Sequence, residues 1–106
     1  MTEVRIIRNK QGLIEGFRIS GHSGYDESGK DIVCSSISTA TMMAIGMIDK
    51  CGLTYRHHID DDGATIEFQL ETLDKTAELV LETFYEHIVA LSKDYKAYVK
   101  ITEKRR

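Results

Sequence analysis

The chain has no proline and no tryptophan, so its turns must be made by glycine, asparagine, aspartate and serine. Cysteine is scarce, with only Cys34 and Cys51. If residues 32–50 form one helix, the two stand ~25 Å apart along its axis. A bridge needs Cα atoms within about 7 Å. An intramolecular disulfide is therefore excluded on this reading, which fits a reducing compartment. There is no C-x-x-C pair, which weighs against a thiol-redox protein. Charge is missing from Ile32 to Ile48, a run near the lower limit of a membrane span. The Ser, Thr and Cys interspersed in it, without apolar flanks, favour a buried helix over a span. Nothing in the first ten residues resembles a signal peptide, because they carry Glu3, Arg5, Arg8 and Lys10. The expected location is the cytoplasm. A basic surplus is absent too: the net charge is −3, which argues against direct nucleic-acid binding and suits a basic peptide.

At 106 residues the chain is expected to be one domain, residues 1–106, able to bury a modest core. Glu3–Arg8 alternates Val4 and Ile6 inward, as a strand does. Asn9–Gly12 is a turn, and Leu13–Ser20 returns as a second strand with Leu13, Phe17 and Ile19 on one face. Ile32–Lys50 reads as a helix with a stripe of Val33, Ile37, Ala40, Ala44, Met47 and Ile48. Gly52 follows its end. Leu53–Ile59 and Ala64–Leu70 alternate around the turn Asp60–Gly63, a second hairpin. Thr72 or Asp74 caps a helix over Leu73–Ser92 with a stripe from Leu73 to Leu91. Lys93-Asp94 ends it. Ala97, Val99 and Ile101 make a last strand, and Glu103–Arg106 is a charged tail expected to fray. The order β-β-α-β-β-α-β with short connections predicts the α+β class, a largely antiparallel sheet with two packed helices.

The chemistry concentrates in Gly21–Ser38, GHSGYDESGKDIVCSSIS. His22 ends a strand, and Cys34 is the third position of a helix capped by Asp31. Unpaired amides and the helix dipole at that place favour a thiolate and could hold an oxyanion. The eight residues Ser23–Lys30 could span about 26 Å, so His22 and Cys34 can meet as a Cys–His dyad. Gly24 and Gly29 give that loop freedom, and Tyr25 is its one large group. Asp31 has two candidate roles, helix cap or third member orienting His22. Ser38, one turn after Cys34, either bonds near the site or back-bonds within the helix. His57 and His58 point to opposite faces of a strand, and Asp60–Asp62 lack calcium-loop spacing, so no metal is expected.

GH-S-GY followed by G-K-DIVCSSIS resembles the signature of the ribosomal-processing cysteine protease family, the Prp family, and the similarity runs through nearly the whole chain. The resemblance implies that His22 and Cys34 are the catalytic pair of a cysteine endopeptidase and that no cofactor takes part. It implies as substrate the N-terminal extension of large-subunit ribosomal protein number twenty-seven. It favours a substrate-responsive loop with Gly24, Tyr25 and Gly29. The rival reading is a non-catalytic ribosome-associated binding protein. Met42, Met43 and Ile45 lie off the helix stripe and need cover, which predicts a homodimer.

Overall fold

The computed structural model describes residues 1–27, 29–60 and 64–106. Asp61, Asp62 and Gly63 of the expected Asp60–Gly63 turn lie outside the described residues. The elements are β1 (Thr2–Arg8), β2 (Ile14–Ser20), α1 (Ile32–Lys50), β3 (Tyr55–Asp60), β4 (Thr65–Leu70), α2 (Lys75–Asp94) and β5 (Val99–Arg105). They build one sheet in the order β3-β4-β2-β1-β5. The β1–β2, β2–β4 and β3–β4 pairs are antiparallel, and β5 lies parallel to β1. The α+β class and the mostly antiparallel sheet are as expected.

One face of the sheet carries the core. Val4, Ile6, Phe17, Ile19, Phe68 and Leu70 are buried there beneath apolar residues of both helices. The other face carries charge, including the Arg18–Glu67 pair at 3.0 Å. The β1–β2 register steps from Ile7↔Gly16 to Arg8↔Ile14, so Glu15 has no opposite residue. Such a bulge reverses the inward side. Ile14 is buried as a result, and Leu13, expected inward, is only half-buried ahead of the strand. Gly16 answers a close approach: a Cβ there would lie 2.6 Å from the Phe68 carbonyl oxygen.

Three expectations about the helices are corrected by packing. Met47, placed in the α1 stripe, is exposed, whereas Thr41 and Ile45 are buried. Thr41 tolerates burial because its hydroxyl donates to the Ile37 carbonyl at 2.7 Å. Leu73, placed in the α2 stripe, lies outside the helix and is exposed. Asp74 is the cap, accepting from the Thr76 and Ala77 amides at 2.8 and 3.1 Å. α2 continues through Lys93 to Asp94.

The charged tail does not fray. Glu103, Lys104 and Arg105 pair with Ile6, Ile7 and Arg8, and the Arg106 amide donates to the Arg8 carbonyl at 2.9 Å. Apolar alternation stops at Ile101, yet backbone groups along β1 still need partners, and β5 supplies them. Arg8 strengthens this edge by bonding Glu103 at 2.7 Å and Glu82 at 2.9 Å, tying β1 to β5 and α2.

Candidate active site

β2 ends at Ser20, and the chain turns away at Gly21 with φ of +86°. A Cβ at Gly21 would lie 2.6 Å from the Met1 carbonyl oxygen, so only glycine fits both the conformation and the space. The Gly21 amide donates to the Ala64 carbonyl at 3.0 Å. His22 is thereby fixed at the end of a central strand, with its side chain exposed.

Asp31 shapes the opposite wall. Its Oδ1 accepts from the Val33 and Cys34 amides at 3.0 and 2.9 Å. Its Oδ2 accepts from the Tyr25 amide at 3.2 Å and from the Ser23 hydroxyl. The cap places Cys34 third in α1, as expected. It also occupies two amides that the sequence reading left for an oxyanion, because a carboxylate so placed reaches both N2 and N3. Partial desolvation pulls the Asp31 carboxyl upward, but the Ser23 hydroxyl, the Cys34 and Asp26 amides and the Cys34 side chain outweigh it and hold it at about 2, against an ordinary 3.8.

A depressed carboxylate value contributes stability that is present above the ordinary value and is lost as pH falls through the folded one. The contribution of Asp31 is therefore complete above about pH 4 and disappears toward pH 2. Asp31→Asn keeps a capping oxygen and should melt near the parent at pH 7, with cleavage reduced by less than ~10-fold. Asp31→Ala should melt lower, and that deficit should narrow as the melts are repeated from pH 4 toward pH 2. A rate loss beyond ~10-fold in a normally melting Asp31→Asn protein would instead make Asp31 a partner of His22.

Cys34, His22 and Ser38 face one cavity of about 220 Å³, walled by Ile19, Ile37 and Ile66. Cys34 is half-buried and unbridged. Its Sγ receives the Ser23 amide at 3.3 Å and donates to the Ser23 Oγ at 3.4 Å. Among the described residues no hydrogen bond joins His22 to Cys34, although both border the same space. Among the described residues Ser38 has neither a hydrogen-bond partner near the site nor a back-bond within the helix, and it stands exposed at the rim.

Gly24 and Gly29 have φ of +72° and +88°, so each sits where other residues are strained. Tyr25 packs edge-on against Tyr95 and Tyr98, with ring centroids 5.4 and 5.2 Å apart. The loop is thus pinned to the segment between α2 and β5, a contact that sequence reasoning missed. Ser23 was missed as well. Its only signal was a hydroxyl residue directly after the candidate base.

A cysteine at a capped helix start, sharing a cavity with a histidine that follows a strand end, has the parts that nucleophilic thiol chemistry uses. The family model described as cysteine protease Prp matches residues 1–100. The chain belongs to the cysteine protease Prp family and is a cysteine protease. It is 27% identical to the ribosomal processing cysteine protease Prp of Bacillus subtilis, over 96% of each chain. The Staphylococcus aureus protein of that name is 26% identical, over 98% of this chain and 100% of its own. Among solved structures, the S. aureus protease with a covalently linked product peptide superposes with a TM-score of 0.92 at 24% identity, covering 98% of this chain and 100% of that one. SMU.848 from Streptococcus mutans superposes at 0.87 with 27% identity, covering 100% of this chain and 96% of that one.

Proposed function

We propose that this protein is a cytoplasmic endopeptidase that uses Cys34 and His22 as a dyad. Its substrate on this reading is the N-terminal extension of bacterial large-subunit ribosomal protein number twenty-seven. The observation that carries the dyad is the shared cavity, with Cys34 at a helix start and His22 at a strand end. The names of the B. subtilis and S. aureus relatives support the ribosomal substrate. The S. aureus protease was also solved with a substrate peptide, and the common fold supports a peptide occupant here.

The chemistry follows from these two side chains. Cys34 gives its proton to His22, and the sulfur attacks the scissile carbonyl. The tetrahedral adduct collapses as the C–N bond breaks, and His22 protonates the departing amine. Water, with its proton taken by His22, then releases the thioester as a free acid. The helix start supplies partial positive charge to the oxyanion, although Asp31 already holds the Val33 and Cys34 amides. No metal or organic cofactor enters these steps. Gly24, Tyr25 and Gly29 form the loop beside the peptide, and its Tyr25 anchor must accommodate the substrate.

Incubation with the extended ribosomal protein tests the proposal. Mass analysis should show the shortened protein and the matching N-terminal fragment. An unchanged substrate beside well-folded protein would mean that this protease acts on a different polypeptide.

Self-association belongs to the same proposal. Ile45, expected to need outside cover, is buried within the fold, but Ile32, Met42, Met43 and Met47 are exposed along α1. α1 is also long and apolar enough, by length and composition, to cross a membrane. Its other side packs Val33, Ile37, Ala44 and Ile48 into the core, which favours protein cover over lipid. A twofold partner is the commonest cover for such a strip. Light scattering should give about twice the 12.0 kDa chain mass at micromolar concentration, and Met43→Glu should return the monomer. A monomer across that range defeats the dimer.

A further inference from the structure

Cys34 bonds to Ser23 and not to His22. We infer that Ser23 is a positioning residue whose hydroxyl holds the Cys34 thiol protonated and turned away from His22 until a peptide displaces it. The inference rests on Cys34 being the nucleophile of the proposed protease.

The direction of each hydrogen bond carries the argument. Ser23 is 2% exposed, and its Oγ lies between the Asp31 carboxylate and the Cys34 sulfur. An ionised carboxylate can only accept, so the Ser23 hydrogen points at Asp31. Asp31, with an ordinary value of 3.8 that the Cys34 and Asp26 amides lower further, is ionised at neutral pH. The Ser23 oxygen is then left with lone pairs alone for its other neighbours. One accepts the Tyr25 amide at 3.3 Å, and the other faces the Cys34 Sγ at 3.4 Å. Only a protonated sulfur can donate into that lone pair, whereas a thiolate would meet it as a second acceptor. The Ser23 backbone amide also reaches the sulfur, at 3.3 Å, and does not depend on the side chain.

Ser23 opens the Ser23–Lys30 loop, and Tyr25, two residues on, is pinned by Tyr95 and Tyr98. A peptide that shifts this loop loosens Ser23 from Cys34 and frees the sulfur to turn to His22. The titratable groups around Cys34 are His22 and Asp60 in the cavity wall, Asp31 under the helix start and Tyr25 across the loop. A substitution of Ser23 leaves all of them in place.

The test reads the thiol directly and needs no cleavage. In a Cys51→Ser background, alkylation of Cys34 by iodoacetamide is followed against pH. Ser23→Ala removes the hydroxyl acceptor, leaves the Asp31 carboxylate that the Cys34 side chain also reaches, and should lower the pH midpoint of alkylation by about half a unit to one unit, the scale of one net hydrogen bond. Several-fold faster alkylation below the parent midpoint follows. Ser23→Gly removes the same hydroxyl and should shift the midpoint the same way if the Ala form melts early. Ser23→Thr retains the hydroxyl and should restore the parent midpoint. An unchanged or raised midpoint in both hydroxyl-free forms overturns the assignment. A merely structural Ser23 would lower melting without moving the midpoint. A lowered midpoint in a protein that leaves the ribosomal precursor uncut supports the Ser23 assignment while sinking the proposed ribosomal substrate.

Discussion

Cys34→Ser should lose cleavage of the extended ribosomal protein by on the order of 10⁴-fold or more while melting like the parent. Among the described residues that line the cavity, Cys34 is the one that carries a thiol, the strongest nucleophile of the set once ionised. A serine hydroxyl ionises far less readily than a thiol, so His22 in the same cavity activates it far less. Folding should be preserved. The substitution replaces a half-buried sulfur by oxygen, and the cap depends on the backbone amide of residue 34. His22→Ala should cost ~10²–10⁴-fold, the usual contribution of one acid–base group. Its side chain is exposed, so melting should be unaffected. Cys51→Ser is the control. Cys51 is exposed at the opposite end of α1 and should cut at the parent rate. A Cys34→Ser protein that cuts normally would end the thiol-protease mechanism for this cavity.

Phe17→Ala should be the most destabilising single change. Phe17 is 1% exposed and stacks on Phe68 and Phe84, with ring centroids 5.2 and 4.6 Å apart. It therefore joins β2, β4 and α2 through one side chain. Truncating a buried phenylalanine costs ~3–5 kcal/mol through lost transfer energy and the cavity left behind. A domain of this size has a total of ~5–15 kcal/mol. The melting temperature should fall on the order of 15–30 °C. Phe17→Leu leaves less empty volume and should fall by much less. Activity should follow stability, because the strand that carries Phe17 ends at Ser20, two residues before His22. Thermal melts by circular dichroism decide the matter. A drop of only a few degrees would mean that the core closes over the gap and that the stacked rings are not its centre.

The candidate site was more legible than the fold around it. GHS and DIVC stand close in the chain, and an N-cap acts over three residues, so local physics placed Asp31 and Cys34 correctly. The inward sides of β1 and β4 followed from period-two alternation. The bulge in β2 did not, since one unpaired residue leaves no compositional mark beyond Gly16 beside it. Met47 misled because α1 is apolar nearly all round, and a helix without a polar face does not announce its buried side. The reach of β5 through Arg105 was invisible because its last residues are charged, and their pairing is made by the backbone.

By itself the sequence determined the seven elements, their order, the cap that sets Cys34 at a helix start and the family resemblance. These rest on interactions between near neighbours in the chain and on alternation that any strand or helix must show. Only the tertiary structure decided the strand order, the parallel docking of β5 on β1, the exposed methionine strip and the partner of the Cys34 sulfur. Each of these depends on which distant surfaces meet. The hydroxyl of Ser23 illustrates the difference. In sequence it is one polar residue in a loop. In the fold it is buried between a carboxylate that fixes its hydrogen and a thiol that must supply its own.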